Sequence, residues 1–167
     1  PNNKINSLIE SIILKSIYCK KIIFISEALK KMYVDSKLYN FDLKKSAVLH
    51  DGADFRKKPK TNSKKVEIGY VGHLYKGRGI DLIVELAKRF SSYNFNIVGG
   101  EENDIKRIKK IALKNIILHG FIPPGEVNNT RDKFDILLMP YKPGLSNEGS
   151  SIDTSRRMSP LKLFEYM

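Results

Sequence analysis

Apolar positions along this chain fall into short continuous runs, and between the runs they recur with a helical period. Ile5, Leu8, Ile9, Ile12, Ile13 and Ile17 form one helical stripe over residues 5–19. "KIIFIS", residues 21–26, follows as an apolar strand expected to be buried on both faces. Ser26 before "EALKKMYVDS" predicts a capped helix with Glu27 in its first turn. "SAVLHDGAD" is a short strand running into an Asp-Gly turn. "FRKKPKTNSKK", residues 55–65, is polar, basic and broken by Pro59, which marks it as a linker.

A second series begins at Val66. The strand Val66–Val71 passes through a glycine-rich turn into a helix with Ile80, Ile83, Leu86, Ala87 and Phe90 on one face. "NFNIVGG" is the next strand, and "ENDIKRIKKIALK" a helix with Ile105, Ile108, Ile111 and Ala112 inward. "NIILHGF" is a strand, "PPGEVNNTRDKF" a short helix opened by prolines, and "DILLMPY" a further buried strand. Residues 142–158 lack any apolar period and read as a functional or mobile loop. "SPLKLFEYM" opens a helix, with Ser159 as cap and Pro160 at its first position. The chain starts without Met and stops two turns into that helix, so it reads as a fragment.

Strands that alternate with helices predict an α/β protein: a Rossmann-like, doubly wound parallel sheet with right-handed crossovers and helices on both faces. Ligands of such sheets bind at the carboxyl ends of the strands. The loops to inspect are therefore "GHLYKGRG", "GGEEND", "HGFIPPG" and "KPGLSNEGSSIDTSRRMSPLK". All are rich in Gly, Pro or charge behind apolar strands. Glycine-loop amides and helix N-termini can hold phosphate oxygens, and a nearby cation adds charge-assisted bonds. The glycines at 69, 72, 77 and 79 fit neither G-x-G-x-x-G nor a Walker loop. On spacing alone, a phosphate loop and a plain structural turn both remain open.

Composition narrows the function classes. The chain has 167 residues and a net charge of +12, carried by 30 Lys and Arg against 18 Asp and Glu. Most of these cations are lysines, in pairs scattered over the whole length and without aromatic interleaving. Nucleic acid is therefore disfavoured as a partner, and peripheral contact with an anionic membrane is favoured somewhat more. No apolar run approaches a membrane span, and no signal pattern opens the sequence. The single cysteine, Cys19, fits a reducing cytoplasm. No metal cluster is expected, because His50, His73 and His119 lack carboxylates at ligand spacing.

"YVGHLYKGRGIDLIVELAKRF" resembles the strand-loop-helix that opens the C-terminal domain of GT-B glycosyltransferases of retaining family four, also called group 1, usually V-G-R-L-x-x-x-K-G-x-D. "NFNIVGGEEND" is similar to that family's L-V-G-x-G-P-E segment, and "NIILHGFIPPGEV" to its V-x-F-x-G-F-V-x-x-x-E-V. "DKFDILLMPY" resembles A-D-V-x-V-x-P-S, and "SPLKLFEYM" the start of the donor-binding helix. Upstream, "KKIIFISEALKKMY" and "SAVLHDGADF" are similar to the family's I-x-V-S-E-x-L-K element and P-N-G-V-D hinge. The likeness runs from about residue 20 to 167 in order. It implies an acceptor-domain remnant with hinge (1–54), the linker (55–65) and a truncated donor domain (66–167).

The resemblance also implies roles. Arg78 falls on the family's lysine and would stabilise the diphosphate leaving group as the glycosidic bond breaks. Gly72 and Gly99 would let backbone approach the donor. His73 stands where the family has Arg, so Lys76 or Arg157 would have to supply the second cation. Phe121 and Ile122 fall in the segment whose backbone recognises the nucleobase. The amides at Ser159, Pro160 and Leu161 would face the diphosphate, and Glu165 would accept bonds from the ribose hydroxyls. The family's other glutamate is replaced by Arg157, which leaves Glu148 or Asp153 as substitutes. The implied activity is retaining transfer of a sugar from a nucleotide-diphosphate sugar, with no separate cofactor, to a glycan or lipid-linked acceptor in envelope polysaccharide synthesis. Two other readings stay open: a nucleotide-sugar epimerase of the same architecture, and a basic, non-catalytic binding module. The bland counterparts are a solvated Arg78, an exposed Glu165, a turn-packing His73, and hydrogen-bonded structural roles for His50 and His119.

Overall fold

The computed structural model describes residues 2–36, 39, 41–54, 63–75, 77–111, 113–142 and 159–167. Two compact units emerge, Pro1–Asp54 with Arg156–Glu165, and Phe55–Ser155 with Tyr166–Met167.

The first unit contains α1 (Asn2–Lys15), β1 (Ile22–Phe24), α2 (Glu27–Asp35) and β2 (Ser46–Val48). β1 and β2 pair in parallel, with Ile23 opposite Ala47. The expected cap of α2 is present: Ser26 Oγ accepts from Leu29 N at 3.1 Å. Ile22 and Phe24 are buried, but Ile23 is 50% exposed, so this strand is not covered on both faces among the described residues. An apolar run reports strand propensity at every position, whereas burial alternates with the pleat. Phe24 packs edge-on against Tyr33, which stacks on Tyr39 at 4.2 Å and donates its hydroxyl to Glu10. Further along the chain, α6 (Leu161–Tyr166) begins one residue later than expected, and Ser159 does not cap it. Leu161 N donates to Ser159 O and Leu163 N to Pro160 O, so backbone carbonyls take the amides a cap would serve. Ser159 Oγ is buried without a hydrogen-bond partner among the described residues.

The second unit is the parallel α/β sheet that the sequence predicts. Its elements are β3 (Glu67–Val71), α3 (Ile80–Arg89), β4 (Asn94–Val98), α4 (Glu102–Lys109), β5 (Ile116–Gly120), α5 (Pro124–Arg131) and β6 (Ile136–Leu137). All strands are parallel, in the order β5-β4-β3-β6. Ile68, Tyr70, Phe95 and Ile97 point to one face, where they meet Ile80, Ile83 and Ala87 of α3 and Ile108 of α4. Burying each of the Ile and Phe side chains among them stabilises the unit by about 1.5–3 kcal/mol. The opposite face carries Gly69, packed against the Phe134 ring that follows α5. A polar ladder also crosses that face. Asn96, 4% exposed, donates to Glu67 Oε2 at 2.7 Å, and its Oδ1 accepts from His119 Nε2 at 2.8 Å.

Three expectations fail in detail. Phe90 lies past the end of α3 and is 42% exposed, and Ile111 lies past α4 and is 39% exposed. In both places the apolar period outlasts the helix. "DILLMPY" is not a buried strand but a two-residue edge strand whose Ile136 is 45% exposed. Among the described residues it pairs only with β3, and the Pro140 nitrogen can donate nothing to a longer ladder. The linker residues 55–62 and the loop residues 143–158 lie outside the described residues.

Candidate functional site

β3, β4 and β5 succeed one another toward one side of the sheet, and β6 returns to the other side of β3. Strand order therefore reverses between β3 and β6. In open α/β sheets that reversal leaves a crevice at the carboxyl ends of the two strands, and ligands bind there. The glycine turn after β3 and residues Pro140–Lys142 after β6 both sit at this point.

Around the turn, the backbone is unusually close to its neighbours. Gly72 N donates to Val98 O at 2.9 Å, and Gly99 N to Gly120 O at 2.7 Å, so the three loops are tied in series. Gly99 has a φ of 101°, and a Cβ there would stand 2.4 Å from Gly72 O. Gly79, with a φ of 77°, precedes the first turn of α3, and a Cβ on it would come within 1.8 Å of Pro140 O. Only glycine fits either place. Lys142 N donates to Gly77 O at 3.0 Å, and Lys142 Nζ pairs with Asp81, whose carboxyl it holds below the usual range.

Arg78 lies in this interlock. Its Cζ is 4.9 Å from the centroid of the Tyr141 ring, and its Nε is buried without a hydrogen-bond partner among the described residues. Buried polar atoms are almost always bonded, so an unsatisfied guanidinium donor calls for an explanation. Tyr70, 1% exposed, donates its hydroxyl to His73 O at 2.6 Å and so anchors the turn from below. Burial raises the Tyr70 pKa, Tyr141 and Tyr166 raise it further, and Arg78 opposes them. The Tyr166 hydroxyl lies 3.4 Å from Val71 N and 3.3 Å from Val71 O.

A family model for glycosyl transferases group 1 matches residues 51–152. The chain belongs to that family. Solved GT-B structures share the fold of this group 1 chain at low identity. S. aureus TarM, solved with fondaparinux, alpha-GlcNAc-glycerol and UDP, is 18% identical with a TM-score of 0.54, over 71% of this chain and 24% of its own. Anabaena HepE, solved with UDP and glucose, is 14% identical with a TM-score of 0.58, over 80% of this chain and 41% of its own. A Rickettsia africae glycosyltransferase is 18% identical with a TM-score of 0.56, over 78% and 41%. The chain thus spans between a quarter and two fifths of these proteins. No curated relative matches it significantly.

Against this frame of group 1 transferases, the expected site residues divide into sets. Gly72 and Gly99 are in mutual backbone contact, and Arg78 is half-buried beside Tyr141. His73 is exposed and stacks on Tyr75 at 4.8 Å, a turn-packing role. Phe121 is 78% exposed after β5, with Ile122 partly buried beside it in sequence. Ser159, Pro160, Leu161 and Glu165 belong to the other unit, where Ser159 is buried and Leu161 and Glu165 are exposed. Lys76, Glu148, Asp153 and Arg157 lie outside the described residues. His50 meets Ile25 O at 3.2 Å and His119 meets Asn96, so both are hydrogen-bonded. Among the described residues no group of three His, Cys, Asp or Glu could hold a metal ion, and no helix is long and apolar enough to cross a membrane. Sequence reasoning missed Tyr141 and Tyr70, both read as ordinary strand residues.

Proposed function

We propose that the second unit binds the diphosphate of a nucleotide-sugar donor, and that the protein carrying this chain transfers the sugar with retention of configuration. The observation that carries this reading is the Arg78 guanidinium, held at the reversal of strand order with an unsatisfied donor. A cation there neutralises charge as it develops on the leaving diphosphate, and an effect of this kind is usually the largest single contribution to such catalysis. Gly72 and Gly99 admit donor and loop backbone without side chains in the way, and His73 lines the turn. Phe121 and Ile122 offer backbone groups to the base. Residues 66–167 are then donor domain, 1–54 acceptor domain with hinge, and 55–65 the linker.

The acceptor is a glycan or lipid-linked saccharide of envelope polysaccharide synthesis, reached from the cytoplasmic face with the basic surface near anionic lipid. UDP is the first donor nucleotide to test, since TarM and HepE were each solved with it. Calorimetry with UDP and GDP is expected to show binding to one of them, weakened at least tenfold by Arg78→Ala. If neither nucleotide binds or shifts the melting temperature, while duplex DNA binds with a steep salt dependence, the proposal fails in favour of a basic binding module.

A further inference from the structure

Residues 77–81 and 140–142 meet one against one: Gly79 on Pro140 O, Gly77 O on Lys142 N, Asp81 on Lys142 Nζ, and Arg78 on the Tyr141 ring. The contacts at Gly79 and Gly77 involve backbone on both sides, so the two segments cannot slide without losing them together. Tyr141 N also donates to Met139 O at 2.9 Å, which pins the ring's own turn. The aromatic ring is therefore held in register with the arginine.

An arginine side chain has several rotatable bonds, and a free guanidinium would have to be ordered by each incoming anion. A ring beneath its face supplies a cation–π contact and fixes its plane. Cζ lies 4.9 Å from the ring centroid, and where such a contact uses the guanidinium face its in-plane N–H donors stay available. That is the geometry a bidentate phosphate contact requires. Beside that contact the Nε atom is buried without a hydrogen-bond partner among the described residues.

We propose that Tyr141 is a positioning residue for Arg78, orienting the guanidinium so that its edge meets the donor's diphosphate. The inference rests on the donor-binding reading above. Calorimetry with UDP or GDP, whichever the wild type binds, compares Tyr141→Phe, Tyr141→Leu, Arg78→Ala and the Leu/Ala double variant. Tyr141→Phe keeps the ring and retains the affinity. Tyr141→Leu weakens the nucleoside diphosphate about five- to tenfold, leaves the bare nucleoside unchanged, and costs nothing further once Arg78 is gone. Should Tyr141→Leu not fold, the wild-type Arg78 Nε–H resonance decides. It is expected to be shifted upfield by the ring, slow to exchange, and perturbed by the nucleotide. Full affinity in Tyr141→Leu, an equal loss with and without Arg78, or an unshifted Nε–H signal overturns the assignment. A wild type that binds neither nucleotide defeats the donor reading instead.

Discussion

Replacing Gly79 by alanine tests whether the turn after β3 and the segment after β6 are locked together. The residue has a φ of 77°, where an L side chain costs about 1–2 kcal/mol. The new methyl would also stand 1.8 Å from Pro140 O, 2.7 Å from its carbon and 2.9 Å from its Cβ. Two of these three neighbours are backbone, so no side-chain rotation can relieve the overlap. The segment has to retreat, and the Lys142 N to Gly77 O bond is the contact most exposed to that movement. Losing it adds about 0.5–1.5 kcal/mol. The sum is about 1.5–3.5 kcal/mol, a large part of the 5–15 kcal/mol that holds a typical domain.

A urea titration followed by circular dichroism measures this directly. With slopes of about 1–3 kcal/mol/M, the midpoint for Gly79→Ala should fall by about 1–2 M. Gly125→Ala is the matched control, because a Cβ there meets nothing within 4 Å and the residue lies inside α5. Alanine is the better helix former, so that variant should be unchanged or gain up to about 1 kcal/mol. Equal midpoints for the two variants would refute the reasoning.

Other consequences are more local. Ile97→Ala, at a side chain with 0% exposure, should cost about 2–5 kcal/mol in the same titration. Ser26→Ala removes the cap of α2 and should cost about 1 kcal/mol, read from the melting of the first unit. The pKa of His119 is lowered, first by desolvation and then by Lys133, with Glu67 pulling the other way. The unfolded chain then binds this proton more readily than the fold does. Stability should be complete above the unfolded value, near pH 6.5, and decline as pH falls below it. His119→Gln should flatten that part of the pH–stability profile, and an unchanged slope would remove His119 as its source.

The order of strands and helices was legible because apolar runs and helical periods alternate cleanly from Ile22 to Leu137. Punctuation was legible where one residue does one job, as with Ser26 before α2 and Pro124 at the start of α5. Ends were less so. Phe90 and Ile111 continue a period after the backbone has left the helix, since hydrophobic spacing carries no record of where hydrogen bonding stops. The position of β6 was hidden for another reason. "DILLMPY" is as apolar as a central strand, but it meets β3 only briefly, Leu138 packs its side chain against the core, and Ile136 stays open. Ser159 looked like a cap because serine commonly is one. Its own carbonyl and that of Pro160 took the amides instead.

The glycine turn shows most clearly what adjacency adds. On spacing alone, "GHLYKGRG" supports a phosphate loop and a plain reversal about equally. The donor reading draws on the segment lying across from it, and strand order decides which segment that is. With β6 placed beside β3, Pro140 explains Gly79, Lys142 closes on Gly77, and Tyr141 comes to lie under Arg78. A plain reversal would need the glycines but has no use for a guanidinium clamped on an aromatic face with a buried donor left over. The donor reading proposed above rests on that arrangement, in which Arg78 lies over the Tyr141 ring and its buried Nε has no hydrogen-bond partner among the described residues.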